Sequence, residues 1–218
     1  MPILSTRLKK CAWLNGCQDM LFKELDCIES WILGHRKKPN PCLEKMLLAF
    51  ERLSKTPDLV IVGQDPYPYD RATGIAFQTK GNVHSSSLDT FSLGLGICSG
   101  CYPNIARWVD KYGILMANAA LCNFGECGND KIFDRWHKFI VGILEVICNQ
   151  NPNVVVMLIG KERVWKLLNE GNVVKCKHPA HGWGPSHKDW HQVLEILTRN
   201  GICIDLTEDS VEVVRDSV

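Results

Sequence analysis

The chain of 218 residues lacks an apolar run long enough to cross a bilayer, and it lacks internal repeats and low-complexity segments. Its charges nearly cancel, because 25 basic and 24 acidic residues leave a formal net charge of +1. The charge of the whole molecule therefore does not indicate a nucleic-acid partner. Only short apolar stretches follow the basic residues Arg7, Lys9 and Lys10. We therefore expect neither a signal peptide nor contact with a membrane.

The sequence also lacks the cysteine pattern of a secreted disulfide framework. Its 11 cysteines are odd in number and irregularly spaced, and several lie in apolar stretches, where a reduced cysteine behaves as a small hydrophobic residue. We therefore expect an intracellular, reducing compartment, the nucleus or the cytoplasm. The pairs Cys98–Cys101 and Cys122–Cys127 leave a four-cysteine metal site as an alternative, although neither pair matches a known zinc pattern. Our leading expectation is a protein with no metal and no cofactor.

Four short apolar runs, separated by helix-like sequence, predict a parallel sheet flanked by helices. The runs are Leu59–Val62, Ile114–Ala117, Val154–Ile159 and Val173–Lys177. The expected helices lie at residues 18–33, 42–53, 102–112, 133–148, 161–168 and 188–199. We therefore predict an α/β fold in which a single domain over residues 1–218 is built on a central parallel four-stranded sheet. Its core lies at residues 55–206, and residues 207–218 form a loose tail.

Polar residues follow three of these runs, at the points where we expect the strands to end. They are Asp65, Asn118 and His178. The carboxyl ends of parallel strands meet at one edge of the sheet, where ligands bind in open α/β folds. The two prolines of Gln64–Pro68 fix their φ angles and stiffen the turn that carries Asp65. An ordinary Asp-Pro turn is the alternative for Asp65 alone, but three complementary polar groups predict one site.

At these residues the chain resembles the family 1 uracil-DNA glycosylases, over about residues 55–206. The matching motifs occur in the family's order: Gly63–Tyr67, Gly74–Phe77, Ser87-Leu88, Gly113–Ala119 and His178-Pro179. The resemblance implies an enzyme that hydrolyses the N-glycosidic bond of deoxyuridine in single- or double-stranded DNA. Such an enzyme releases uracil, leaves an abasic site for base excision repair, and reaches its target by flipping the base out of the duplex.

The resemblance implies a role for each polar and aromatic residue of the site. Asp65 would activate water and offset the positive charge that develops on the sugar, and His178 would donate a hydrogen bond to uracil O2. Asn118 would pair with uracil O4 and N3–H, which cytosine cannot match. Tyr67 would exclude the thymine methyl group, and Phe77 would stack on the flipped base. A turn-capping aspartate, an ordinary histidine and core aromatics are the structural alternatives.

Further residues are assigned by the resemblance alone or depart from its pattern. Gln64 would contact the base through its backbone, and Ser87 and the loop at Pro179 would contact DNA. Ala180 stands where the family has serine and cannot offer a hydroxyl to a phosphate. The family's leucine wedge is absent, so Trp183 is our candidate for that role, and a tryptophan packed on the domain is the alternative.

The loop departures resemble those of the poxvirus-type branch of the family, some of whose members act as scaffolds for a replicative polymerase. A DNA-binding replication scaffold with weak or no catalysis is therefore the second hypothesis, with a replication protein as its partner. A glycosylase for another damaged base is the third. The motif turns contain no lysine for a Schiff base, so we expect a monofunctional enzyme, and we expect a monomer. Basic residues near His178 form a rim suited to a phosphate backbone, or are scattered solvated charges: Lys161, Arg163, Lys166, Lys175, Lys177 and Lys188.

Overall fold

The computed structural model describes residues 2–14, 19–82, 86–97, 101–125, 128–181, 183, 187–206 and 210–212. The strands are β1 (Leu59–Gly63), β2 (Cys101–Pro103), β3 (Ile114–Asn118), β4 (Val155–Ile159), β5 (Asn172–Cys176) and β6 (Ser210–Glu212). The α-helices are α1 (Ile3–Leu8), α2 (Asp19–Leu33), α3 (Leu43–Met46), α4 (Leu48–Glu51), α5 (Ser86–Gly94), α6 (Ile105–Tyr112), α7 (Asp130–Gln150), α8 (Glu162–Trp165) and α9 (Lys188–Arg199). Within the described ranges, no helix is both long enough and apolar enough to cross a membrane.

The central sheet confirms the predicted α/β fold. Strands β3, β1, β4 and β5 lie side by side in that order, and every pairing is parallel. All residues of β1 and β4 are buried, as expected for interior strands of a sheet covered on both faces. The chain passes from β1 to β3 on one side and then crosses to β4 on the other. This reversal opens a crevice beyond the carboxyl end of β1, where Gly63 pairs in register with Asn118.

The longest helix, α7, packs through the apolar stripe that the sequence predicts. All six side chains of this stripe are buried, namely Trp136, Phe139, Ile140, Ile143, Leu144 and Ile147, and Ile132 and Phe133 are buried beside them. The helix predicted at residues 18–33 is likewise confirmed, because α2 spans Asp19–Leu33 and ends before Gly34. Helices α2 and α7 approach closely at Gly142, where a Cβ atom would lie 2.5 Å from Leu21 Cδ2. A side chain at residue 142 would therefore require Leu21 to move.

One predicted helix, at residues 42–53, is divided into α3 and α4. The chain leaves the helical conformation at Leu47, whose φ and ψ are −99° and 11°. The segment at Gly74 packs directly on this break, since a Cβ atom there would lie 1.7 Å from the Lys45 carbonyl oxygen. The break thus makes room for a segment that leads to Phe77.

The regions around α5, α6 and the carboxyl end of the chain differ from the sequence prediction. Helix α5, which begins at Ser86, is absent from the helices that the sequence predicts. Helix α6 begins at Ile105 and not at residue 102, because Cys101–Pro103 form β2 and the Asn104 side chain caps the helix by accepting from the Arg107 N–H. Strand β2 pairs with β6, so three residues of the expected loose tail are paired. Residues 207–209 and 213–218 lie outside the described residues.

Candidate active site

The turn after β1 carries Asp65, and its carboxylate is oriented by the segment that leads into α7. Asp65 Oδ2 accepts a hydrogen bond from the backbone N–H of Gly128 at 2.6 Å. Gly128 has a φ of 73°, a conformation that favours glycine. The Gly128 carbonyl in turn accepts from Arg163 Nη2 at 3.2 Å, and Arg163 pairs with Asp130. A chain of contacts therefore runs from α8 through the segment before α7 to the carboxylate.

Two buried asparagines hold the backbone of the same turn. Asn123 Nδ2 donates to the Pro66 carbonyl at 2.6 Å, and Asn40 Nδ2 donates to the Tyr67 carbonyl at 2.6 Å. Asn40 and Asn123 also exchange two backbone hydrogen bonds, of 2.8 and 2.9 Å. The sequence did not predict either residue, because the hydrogen bonds join segments far apart in the chain. The carbonyls of the rigid turn are thus satisfied inside the protein.

Asn118 and Phe77 lie against Gly63 at the carboxyl end of β1. A Cβ atom at Gly63 would lie 2.6 Å from Asn118 Oδ1 and 3.2 Å from Phe77 Cε2. The ring of Phe77 stacks on Phe91, with centroids 4.3 Å apart and an interplanar angle of 7°. Phe77 has a φ of 62°, which is uncommon for a residue with a side chain and costs about 1–3 kcal/mol. Packing on Phe91 holds this aromatic ring in one orientation beside the amide.

His178 follows β5 and is held as a hydrogen-bond acceptor on one ring nitrogen. Its Nδ1 accepts from the backbone N–H of Ala180 at 3.2 Å. Burial, and secondarily the positive charge that His181 can carry, lower the pKa of His178 from its ordinary value of 6.5. Both observations favour the neutral imidazole, in which the proton is on Nε2. This nitrogen is therefore the group that can donate to a ligand.

The residues predicted from the three strand ends line one small cavity of about 40 Å³. The cavity brings together Gln64, Asp65, Tyr67, Phe77, Asn118 and His178. Its polar groups differ in kind, since a carboxylate, an amide and an imidazole face the same space. The aromatic residues Tyr67 and Phe77 and aliphatic residues such as Met46, Ile75 and Leu121 supply most of the remaining wall. This arrangement can hold a small planar molecule that offers both donors and acceptors along its edge.

An outer groove of about 360 Å³ leads away from the cavity, and Asp65, Tyr67 and His178 border both. Ser87, Lys161 and His181 also line this groove. Ser87 therefore lies beside the cavity, as its predicted contact with DNA requires. Lys161 is exposed and follows β4, and it belongs to the basic rim seen in the sequence.

The loop after His178 is described only in part. Pro179 is buried, Ala180 is exposed, and residues 182 and 184–186 lie outside the described residues. Ala180 touches the site through its backbone N–H, which holds His178, and not through a side-chain hydroxyl. The predicted DNA contacts of Pro179 and Ala180 therefore remain predictions.

Trp183 is packed inside the protein, which agrees with the alternative of a tryptophan packed on the domain and not with an exposed wedge. Its side chain is only 5% exposed. The ring stacks on His187 with centroids 4.7 Å apart, and its Nε1 donates to the Lys177 carbonyl at 2.8 Å. The ring also presses on Gly94, where a Cβ atom would lie 2.3 Å from Trp183 Cε3. In this conformation Trp183 cannot enter a DNA duplex, because its indole fills space against α5.

We expect Trp183→Ala to lower the free energy of unfolding by about 3–5 kcal/mol, since it leaves a cavity where a buried ring packed. Urea denaturation measures this change. Trp183→Phe is the control, because it keeps a ring against His187 and should cost much less. An unchanged stability, combined with slower excision from duplex DNA alone, would instead identify Trp183 as the wedge.

Metal binding receives no support from the part of the chain that the structure describes, where no group of three or more potential ligands is found. Cys98 and Cys127 of the four-cysteine alternative lie outside the described residues. Cys122 is buried, and burial raises the pKa of its thiol to about 12. A thiol that stays protonated is a poor metal ligand.

The sequence is similar to viral and bacterial proteins that share the name uracil-DNA glycosylase. The chain is 31% identical over 133 residues to the uracil-DNA glycosylase of Psittacid herpesvirus 1. This alignment covers 56% of this chain and 36% of that protein. It is 32% identical over 136 residues to that of Equine herpesvirus 2, covering 56% and 51%. The bacterial protein from Lachnoclostridium phytofermentans is 28% identical over 180 residues, covering 74% and 79%. The chain thus spans about a third to a half of the viral relatives' length. No protein-family model matches the chain.

Solved structures share the fold. The mimivirus uracil-DNA glycosylase superposes with a TM-score of 0.68 at 16% identity, over 93% of this chain and 85% of that chain. The enzyme from Nitratifractor salsuginis gives a TM-score of 0.60 at 16% identity, over 89% and 93%. The architecture around the cavity is therefore that of the uracil-DNA glycosylase fold.

Proposed function

We propose that the chain is a uracil-DNA glycosylase, which hydrolyses the N-glycosidic bond of deoxyuridine in DNA. The observation that carries the proposal is the convergence of Asp65, Asn118 and His178 on one small cavity. These groups lie on separate segments, and their chemistry matches what this reaction requires. The products are free uracil and an abasic site, the starting point of base excision repair.

The cavity can select uracil by its hydrogen-bonding edge and its size. The Asn118 amide offers both a donor and an acceptor, which suit O4 and N3–H of uracil. Cytosine presents the reverse pattern, so the buried amide would be left unpaired. Tyr67 lines the same cavity and would overlap a 5-methyl group, while Phe77 offers a ring face for stacking. The target base must leave the duplex to reach this space.

Bond cleavage leaves negative charge on the departing base and positive charge on the sugar. The His178 ring, neutral and protonated on Nε2, would donate to uracil O2 as negative charge develops there. Asp65, fixed by the Gly128 N–H, would offset the positive sugar and orient the attacking water. The two charges are therefore stabilised by separate side chains.

We expect His181→Ala to move the acidic limb of the kcat–pH profile to higher pH. Removing His181 removes one cause of the lowered pKa of His178, so His178 would gain its proton at a less acidic pH. In the unaltered protein the neutral ring persists below pH 6.5, because its pKa is lowered from that value. The kcat–pH profile measures the shift directly.

His137→Ala, on the exposed side of α7, is the control for this experiment. Its acidic limb should match that of the unaltered protein. The stability of the fold should also fall as pH drops through 6.5, because the unfolded chain then binds a proton on His178 before the folded chain does. A His181→Ala profile that coincides with the control would contradict the role given to His178.

The enzyme is proposed to be monofunctional. No lysine lines the cavity among the described residues, and Lys161 borders only the outer groove. Without an amine beside the sugar, the abasic site is left with its strand intact. A borohydride-trapped covalent complex between protein and abasic DNA would contradict this proposal.

A panel of oligonucleotides, identical except for one base, tests the proposed substrate. The panel carries uracil, cytosine, thymine or an oxidised or alkylated base at one position. We expect release of uracil and no release of cytosine or thymine. Preferential release of a modified base would instead support the glycosylase for another damaged base.

A reducing compartment, the nucleus or the cytoplasm, is proposed from the cysteines. Burial raises the pKa of Cys11 to about 11. The cysteines whose side chains the structure describes are free, namely Cys11, Cys27, Cys42, Cys122, Cys148, Cys176 and Cys203. The monomeric state and the replication partner stay predictions of the sequence.

A further inference from the structure

A second groove, of about 400 Å³, runs beside the outer strand β5, and we name it the β5 groove. Its lining residues are Trp165, Lys175, Lys177, His181, Trp183, His187, Lys188 and Asp189. The reaction proposed above uses none of its three lysines, which belong to the basic rim noted in the sequence. The β5 groove is therefore a basic surface that the proposed reaction leaves unexplained.

The lysines of the β5 groove keep their charge available. Lys175 and Lys177 stand two residues apart on an extended segment, so their side chains point to the same side. Lys175 Nζ contacts Asn169 Oδ1 at 2.9 Å, a neutral partner. Among the ion pairs of the described residues, none involves Lys175, Lys177 or Lys188. In a protein with a net charge of +1, this local excess of positive charge is a distinct feature.

An aromatic side chain lies among these cations. Trp165 is half-buried, and its Nε1 donates to the Cys176 carbonyl at 2.9 Å. This hydrogen bond fixes the indole at the wall of the groove. Cations that follow a phosphate backbone, interleaved with an aromatic face on which a base can stack, are typical of sites for single-stranded nucleic acid.

The β5 groove lies next to the outer groove of the active site, because His181 lines both. The rings of His178 and His181 are 6.3 Å apart between centroids. A strand whose uracil enters the cavity beside His178 can therefore continue past His181 and reach Lys175 and Lys177. An acidic protein segment would also be attracted to the lysines. It would have no base to stack on Trp165, and the position of the groove beside the cavity would not favour it.

We propose that the β5 groove binds the DNA strand that carries the uracil, beyond the flipped nucleotide. Phosphates of the strand contact Lys175 and Lys177, and a flanking base stacks on Trp165. The proposal rests on the proposed function, because that function places the strand in the outer groove. It extends the footprint of the protein to nucleotides that take no part in the reaction.

The test is the salt dependence of binding to a fluorescent single-stranded oligonucleotide that has thymine in place of uracil. Fluorescence anisotropy gives the Kd of the unaltered chain and of Lys175→Ala/Lys177→Ala at several salt concentrations. We expect weaker binding by the double variant and a log–log salt slope reduced by about 0.7 for each lysine removed. Trp165→Leu should also weaken binding, and Trp165→Phe should restore most of it, because a ring remains for stacking.

The double variant Lys23→Ala/Lys138→Ala is the matched control. Both lysines are exposed, on α2 and α7, and line neither groove. Their substitution removes the same charge as the substitution of Lys175 and Lys177. Its salt slope should equal that of the unaltered chain. The proposal is overturned if both double variants have equal slopes, or if Lys175→Ala/Lys177→Ala weakens binding of polyglutamate but not of the oligonucleotide. Uracil release by the unaltered chain, measured in parallel, tests the proposed function separately, because binding of the thymine oligonucleotide requires no catalysis.

Discussion

Asp65→Asn is expected to slow uracil release by about 10²–10⁴-fold, the range for loss of a positioned acid–base group. Asparagine has nearly the same shape, so the Gly128 N–H keeps an oxygen acceptor within reach. What is lost is the negative charge that offsets the developing sugar cation and orients water. Single-turnover kinetics on a single-uracil oligonucleotide measure the chemical step without interference from product release.

Asp70→Asn is the matched control for Asp65→Asn. Asp70 lies five residues further along the chain, is exposed, and pairs with Lys80 outside the cavity. The Asp70→Asn substitution removes the same charge from the same region, so the rate of this variant should stay close to that of the unaltered protein. Equal rates for the two variants would contradict a catalytic role for the Asp65 carboxylate.

Gly63→Ala is expected to lower the rate by about 10²-fold, because small displacements in an active site have effects of this size. The added Cβ would lie 2.6 Å from Asn118 Oδ1 and must push the amide away from its position. Gly63 does not have a positive φ, so alanine is compatible with its backbone. We therefore expect a folded protein in which the group that reads uracil is displaced. Excision kinetics beside thermal unfolding separate these two effects.

Gly34→Ala serves as the control for Gly63→Ala. Its added Cβ would meet only ordinary contacts, at 3.6 Å from the carbonyl oxygens of Ser30 and Trp31. Both glycine variants should unfold cooperatively, and only Gly63→Ala should lose activity. Full activity of Gly63→Ala would show that the Asn118 amide does not need its present position.

The main strands and the polar residues of the cavity could be predicted because their signals are local. Leu59–Gly63 and Val155–Ile159 are continuous apolar runs, which only a sheet covered on both faces buries completely. Asn118 ends β3, and Asp65 and His178 lie two residues after the ends of β1 and β5. Once the strands are parallel, their carboxyl ends meet at one edge, so the cavity follows from the order of residues in the chain.

The supporting contacts could not be predicted, because they join distant segments. The hydrogen bonds from Asn40 and Asn123 to the turn at Pro66 and Tyr67 leave no periodic pattern in the sequence. The contact between Gly128 and Asp65 likewise depends on how α7 is placed.

The position of Trp183 illustrates the same limit of local reasoning. The absence of the family's leucine made Trp183 the candidate wedge, whereas its ring packs on His187 and Gly94. A large apolar ring gains more from burial than from exposure. Local sequence thus located the loop but not the direction of its tryptophan.

The most direct test of the account is cleavage of a single-uracil oligonucleotide after alkali, with the unaltered chain beside Asp65→Asn and His178→Ala. We predict alkali-labile sites at the uracil with the unaltered chain. We also predict losses of about 10²–10³-fold or more in both variants, since each loses a group that stabilises charge in the transition state. No cleavage of single- or double-stranded uracil DNA by the unaltered chain would contradict the account, and would mean that the fold serves binding alone.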